Sequence, residues 1–249
     1  MLIGVGTLTN VLTVLVGSGL GLLIGHRLPE RVRTTVTAAL GLVTLLLAGQ
    51  AAVAVDDPAL RAAVGSQAPL LIVLGALAIG GILGSLARLE DRVADLGGWL
   101  RRRLGTLRVT GGAGDDRFVT GFVTASLVFC IGPLTILGSI NEGLGRGADQ
   151  LLVKSVLDGF ASLAFAASLG VGVMASALSV GVVQGSLTLA GLLLGDVLPD
   201  AHLAAITSVG GLILVGVALR LLDLARFAVA DLLPALLVAP LLVSVVAMF

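Results

Sequence analysis

Runs of about twenty residues with almost no charge recur along the whole chain, and the stretch 69–87 has none at all. A helix needs about 20 apolar residues to cross a hydrocarbon core about 30 Å thick. Eight segments meet that need, at residues 2–25, 35–55, 69–87, 118–140, 153–174, 177–194, 203–219 and 228–248. Lipid offers no partner to an exposed backbone amide, so each is read as a helix. A closed barrel would alternate polarity over ten-residue strands, and no such alternation is present. The expected fold is therefore all-α, a polytopic transmembrane helical bundle of about eight spans, with residues 1–249 forming a single integral membrane domain. Composition supports this, since 12% charged residues is about half of what a soluble chain carries. Equal numbers of basic and acidic residues, 15 of each, leave no overall electrostatic reason to expect nucleic-acid binding.

Short cytoplasmic loops retain Lys and Arg, which sets orientation. With the N-terminus outside, twelve of the 15 basic residues fall on the inner side, in three groups: Arg27, Arg31 and Arg33; Arg88 through Arg117; Arg220 and Arg226. The expected topology is N-out/C-out. The first segment lacks a basic region before it and is too long for a signal-peptide core, so it is read as a retained span. The link at 170–179 is nearly uncharged, and a re-entrant hairpin there could replace two crossings without changing parity.

Between the third and fourth spans, Leu89, Val93, Leu96, Leu100 and Leu104 recur at three- and four-residue steps, with Arg88, Arg92 and Arg101–Arg103 around them. Residues 88–117 are thus expected to form a cytoplasmic interfacial amphipathic helix lying against membrane lipid, followed by a Gly-rich linker. The segment 21–30 resembles 191–200 at a constant offset of 170, and the two face opposite sides in this topology. Spans 1–3 and 6–8 are therefore candidates for an inverted repeat, an arrangement found in secondary transporters, although a Leu-Pro stop after each helix would produce part of the match. Small residues four apart form stripes at Gly17/Gly21/Gly25, Ala76/Gly80/Gly84 and Ala177/Gly181/Gly185. Such stripes let backbones approach closely, and a stripe left over would serve a homo-oligomer interface.

A charge inside hydrocarbon costs on the order of 2.5–3.5 kcal/mol on insertion scales, so it usually meets a partner or a cavity. Asn10 and Gln184 lie inside spans, where they act as interhelical hydrogen-bond donors and acceptors or line a path. Lys154 and Asp158 stand four apart and so share a helical face. They are either a surface pair at the outer end of the helix or a charge pair at the mouth of a solute path. Gly132-Pro133 interrupts the fourth span, because Pro lacks the amide donor and clashes one turn back. The interruption is either a packed kink or a broken helix whose free carbonyls face a solute. Ser139, Asn141 and Glu142 follow near its external end.

Enzyme chemistry finds little footing. Only His26 and His202 are present, so a His-rich metal site cannot be assembled, and no cofactor is expected. Gly112-Ala113-Gly114-Asp115 matches the Gly-x-Gly-Asp string of intramembrane aspartyl proteases but lies in the loop, where two acids cannot share a proton in low dielectric. Cys130, the one cysteine, can form no internal disulfide.

Gly6-Thr7-Leu8-Thr9-Asn10, the stretch 21–31, Cys130-Ile131-Gly132-Pro133 through Leu137-Gly138-Ser139-Ile140, Lys154-Ser155 with Leu157-Asp158-Gly159, and Val183-Gln184-Gly185 resemble the domain-of-unknown-function 554 family, the YdfK/YqgA-like bacterial inner-membrane proteins. The resemblance covers essentially the whole chain. It implies a polytopic inner-membrane protein, sometimes labelled a transporter, and supplies no roles for individual residues. The function expected is a gradient-driven transporter or channel for an ion or small polar solute, its path bounded by Asn10, Gly132, Pro133, Ser139, Asn141, Glu142, Lys154, Asp158 and Gln184. A non-transporting membrane scaffold or partner-binding protein is the alternative.

Overall fold

The computed structural model describes residues 3–25, 29–104, 115–130, 133–194, 199–225 and 228–248. Gly132, most of the Gly-rich linker, and parts of both copies of the offset-170 segment lie outside these residues. The described residues form helices joined by short turns, with no strand among them. In order these are α1 (Val5–Gly25), α2 (Glu30–Ala52), α3 (Pro58–Val64), α4 (Ala68–Leu86), α5 (Leu89–Leu104), α6 (Asp115–Cys130), α7 (Pro133–Gly143), α8 (Asp149–Leu169), α9 (Gly172–Leu194), α10 (Asp200–Leu221) and α11 (Ala235–Val246).

Among the described residues six helices are long and apolar enough to cross a membrane, and a bent pair makes up to seven. Two of the eight expected spans depart from simple helices, both at prolines. The fourth is the bent pair, turned by 73° where Pro133 removes the amide that would continue the helix. The eighth is a shorter apolar stretch, Ala230–Val246, beginning as a 3₁₀ turn at Ala230–Leu232 and carrying Pro240 within α11. The expected alternative of a hairpin at 170–179 does not occur. There α8 and α9 are full-length helices of 21 and 23 residues, separated by Gly170 in a positive-φ conformation.

The chain divides into two compact units, Met1–Gly41 with Val93–Gly195, and Leu42–Arg92 with Asp196–Phe249. In the second unit the Ala76/Gly80/Gly84 stripe of α4 seats α11 and the turn before it. A Cβ on Gly80 would fall 2.3 Å from the Ala235 nitrogen, and one on Gly84 1.9 Å from the Asp231 carbonyl. Gly211 of α10 meets Ala52 of α2 as closely. The first turn of the amphipathic helix α5 is pinned here. Glu90 accepts from Arg220 Nη1 at 2.7 Å and from the Ala230 amide at 2.8 Å, while its own amide donates to Asp231 at 2.9 Å.

In the first unit α1 is inverted relative to a soluble helix. Its buried face is Gly6, Asn10, Val14, Gly17, Ser18, Gly21 and Gly25, while Leu8, Leu12, Val16, Leu20 and Leu23 are exposed. Bulky apolar side chains outward and small or polar ones inward is the arrangement expected when the solvent is lipid. The buried face packs on α8 in parallel. Cβ atoms on Gly17 and Gly21 would each fall 2.2 Å from a carbonyl oxygen of α8, those of Gly159 and Leu163, and one on Gly25 2.7 Å from that of Ala167. Helix α9 runs antiparallel to α1, with Thr188 beside Thr7 and Gly181 beside Val11. The third expected stripe is different: Gly181 makes only ordinary contact, and Gly185 has nothing within 4 Å.

Candidate functional site

Four elements of the first unit, α1, α7, α8 and α9, place polar side chains against one another, and the Pro133 break brings α7 among them. In an unbroken helix the Phe129 carbonyl would accept from residue 133, which as proline has no donor. The Thr135 hydroxyl takes that place, donating to the Phe129 carbonyl at 3.0 Å from a fully buried position. One of that carbonyl's two lone pairs is therefore already taken. Helix α7 then crosses α9 closely enough that a Cβ on Gly143 would lie 2.1 Å from the Thr188 carbonyl.

Crossing there delivers Glu142 to the start of α1. Its carboxylate accepts from the Gly6 amide at 2.5 Å and the Thr7 amide at 3.4 Å, from Thr7 Oγ1 at 3.0 Å and from Thr188 Oγ1 at 3.3 Å. First-turn amides have no partner within their own helix, and an anion there is favoured by the helix dipole. Glu142 thus caps α1 from a distant part of the chain, and its burial at 3% exposure is satisfied without a cation.

One turn further along α1 lies the charged pair. Asp158 Oδ2 accepts from Lys154 Nζ, its i,i+4 neighbour on α8, and from Asn10 Nδ2 at 2.9 Å. Lys154 is 6% and Asp158 7% exposed, which excludes a surface pair at the helix end. A lone buried charge would shift or cost several kcal/mol, and pairing with an added hydrogen bond is what makes this burial tolerable. The polar face continues along α8 as Ser155 and Ser162, whose hydroxyls donate to their own helix at Leu151 and Gly159.

Other atoms are left over. Asn10 Oδ1, Ser139 Oγ and both side-chain polar atoms of Gln184 are buried without a hydrogen-bond partner. All three residues are 0% exposed. Each such group forgoes about 1–3 kcal/mol of lost hydration. Gln184 stands one turn from Thr188 on α9, Asn10 about one turn from Thr7 on the antiparallel α1, and Ser139 one turn from Glu142 on α7. All three therefore flank the Thr7–Glu142–Thr188 knot.

Of the expected path residues, Asn10, Lys154 and Asp158 are bonded together, Gln184 lies level with Asn10 on α9, and Glu142 and Ser139 lie further along, on α7. Pro133 forms the break, and Gly132 lies outside the described residues. Asn141 points elsewhere, donating to Gln150 at 3.1 Å on the exposed side of α7 and α8. Thr188 and Thr135 were not singled out in the sequence. The signal for Thr188 was its four-residue step from Gln184, and for Thr135 its place just after a helix-breaking proline. Cys130 is half-buried at the end of α6.

A family model described as protein of unknown function (DUF554) matches residues 5–244. The chain is similar to the uncharacterized protein YqgA of Escherichia coli (strain K12), at 29% identity over 235 residues covering 94% of each chain. It is also similar to the uncharacterized membrane protein YdfK of Bacillus subtilis (strain 168), at 29% identity over 244 residues, 98% of this chain and 97% of the relative. No solved structure matches it.

Proposed function

Because the chain belongs to DUF554, a membrane-protein family of unknown function, we propose from its own geometry that it is a small gradient-driven transporter or channel for an ion or small polar solute, in the bacterial inner membrane. The carrying observation is the gathering of a buried Lys154–Asp158 pair with the unpartnered polar atoms of Asn10 and Gln184. A bundle selected only to be inert has no use for such groups, since apolar residues of similar volume are neutral or better there. The role is one of passage and not of covalent chemistry. Its partners are membrane lipid and the solute, and a net charge of zero gives no overall reason to expect nucleic acid.

Topology supports a through-going bundle. Helices α1 and α8 run parallel, so the chain between them crosses an odd number of times. With α2 and α4 each taken as a crossing, the bent α6–α7 pair is read as a third. Helix α11 lies antiparallel along α4 from Gly84 to Gly75. The offset-170 repeat contributes one shared device: Pro29 and Pro199 immediately precede the acidic first residues of α2 and α10.

Flux into proteoliposomes decides the matter. Wild type, Asp158→Asn, Lys154→Ala and the charge-free double variant Lys154→Met/Asp158→Asn are to be compared over a panel of ions and small polar solutes. The double variant leaves no buried ion unpaired, so loss of flux in it reports the path and not misfolding. No flux in any would leave the membrane scaffold as the function, and equal flux in all four would remove the Lys154–Asp158 pair from the path.

A further inference from the structure

We propose that the cluster in the first unit is a binding site for a monovalent alkali-metal cation, ligated by Asp158, Asn10 and Gln184, and that the Lys154 ammonium is its built-in competitor. This deepens the transport reading by naming what the site takes. It starts from atoms that the fold buries and leaves without partners: Asn10 Oδ1, and Gln184 Oε1 and Nε2. Two of these three are oxygens. The amide of Asn10 is fixed in orientation, because its Nδ2 donates to Asp158 at 2.9 Å, so Oδ1 is presented away from that bond.

Placement brings Asn10, Asp158 and Gln184 to one depth. Helix α9 lies antiparallel along α1, with Thr188 beside Thr7 and Gly181 beside Val11, so Gln184 stands level with Asn10, which is bonded to Asp158. Ser139, whose neighbour Ile140 packs on Gly191 two turns beyond Gln184, stands outside the site.

The donor set selects the class of ion. Divalent calcium or magnesium is held by several oxygens with more than one carboxylate in most protein cages. Among the described residues no group of three His, Cys, Asp or Glu could hold a metal. One carboxylate with neutral amide oxygens balances a single positive charge. Lys154 already supplies such a charge, its Nζ resting on Asp158 Oδ2 from the next turn of the same helix. An ammonium on a flexible stem is a tethered monovalent cation, able to yield the carboxylate when another arrives.

The test uses the full-length protein in detergent. Its thermal unfolding is followed by reaction of Cys130, the one cysteine in the chain, with a fluorogenic maleimide. Choline chloride is exchanged stepwise for LiCl, NaCl or KCl at constant ionic strength. A ligand that binds only the folded state raises the midpoint with its concentration. The wild-type midpoint should rise with at least one alkali cation. Gln184→Leu should weaken that response at least about tenfold, the effect of losing roughly one ligand. Lys154→Met should tighten it, and Asp158→Asn should abolish it. Midpoints flat in all three salts for wild type and Lys154→Met, or an equal rise in Asp158→Asn, overturn the site. Should Lys154→Met not fold, wild type against Gln184→Leu still decides. A cation response without flux leaves the site standing and removes transport, whereas flux without a cation response does the reverse.

Discussion

Replacing Gln184 by Leu should make the protein more stable in cation-free buffer, a direction opposite to that of most core substitutions. Gln184 is 0% exposed and neither its Oε1 nor its Nε2 has a partner. Leu has a similar volume and no polar atom, so the change removes two desolvated groups without opening a cavity. At the low end of about 1 kcal/mol per unsatisfied group, the gain is about 2 kcal/mol. For a chain of this size that corresponds to a midpoint about 4–8 °C higher. Thr188→Val, one turn along the same face, supplies the contrast. The Thr188 hydroxyl is bonded to Glu142 at 3.3 Å, so its loss should lower the midpoint by an amount corresponding to about 1 kcal/mol. Both are read by the Cys130 unfolding assay in choline buffer, alongside flux. A Gln184→Leu midpoint that falls by several degrees while flux stays intact would show that the amide is an ordinary interhelical bond, worth about 0.6 kcal/mol in such helices. The reasoning from unpartnered atoms would then fail.

Gly17→Ala should cost about 1–3 kcal/mol, because its Cβ would fall 2.2 Å from the Gly159 carbonyl, whereas Gly185→Ala, with nothing within 4 Å, should stay within about 0.5 kcal/mol of wild type; equal midpoints would contradict the packing of α1 on α8. Thr135→Val should lose about 1–3 kcal/mol by orphaning the buried Phe129 carbonyl, and Thr135→Ser should recover most of it in the same unfolding assay. Glu142→Gln should free the start of α1, since an amide oxygen replaces a carboxylate that accepts from two amides and two hydroxyls. Faster hydrogen exchange confined to the first turn of α1 is the expected signature, and unchanged exchange there would refute the cap. In a Cys130→Ala background, Arg146→Cys should react with an impermeant maleimide added to intact cells and Arg92→Cys only after the cells are opened; the reverse pattern would invert the topology.

Spans were legible because lipid imposes one demand, a run of apolar residues of fixed minimum length, and that demand is local. Pro133 was legible for the same reason, its missing amide being a property of one residue. Pairings were not. Gly17 and Gly185 sit in stripes of identical spacing, yet one touches a backbone and the other meets open space, since spacing describes one helix and close packing needs two. Lys154 and Asp158 announced themselves as partners by their four-residue step, but only the fold shows that α1 covers them and that Asn10 completes the pair. Glu142 was visible as a polar residue near a helix end. Its role depends on Gly6, 136 residues earlier, and nothing in its neighbourhood encodes that separation.

The two halves of α1 divide the labour that passage would need. From Gly6 to Asn10 its buried face meets Glu142, Asp158 and Thr188 through hydrogen bonds, each worth about 1 kcal/mol net and exchangeable with water or a solute. From Gly17 to Gly25 it meets α8 through glycine against backbone, a contact whose dispersion energy falls steeply with even a small gap. Opening at the polar half exchanges one set of bonds for another, while opening at the glycine half forfeits packing with no replacement. Helix α7 takes part in both kinds of contact, through Glu142 on α1 and through glycine against backbone at Gly143 and at Gly191 of α9, so displacing it would forfeit packing as well as exchange bonds.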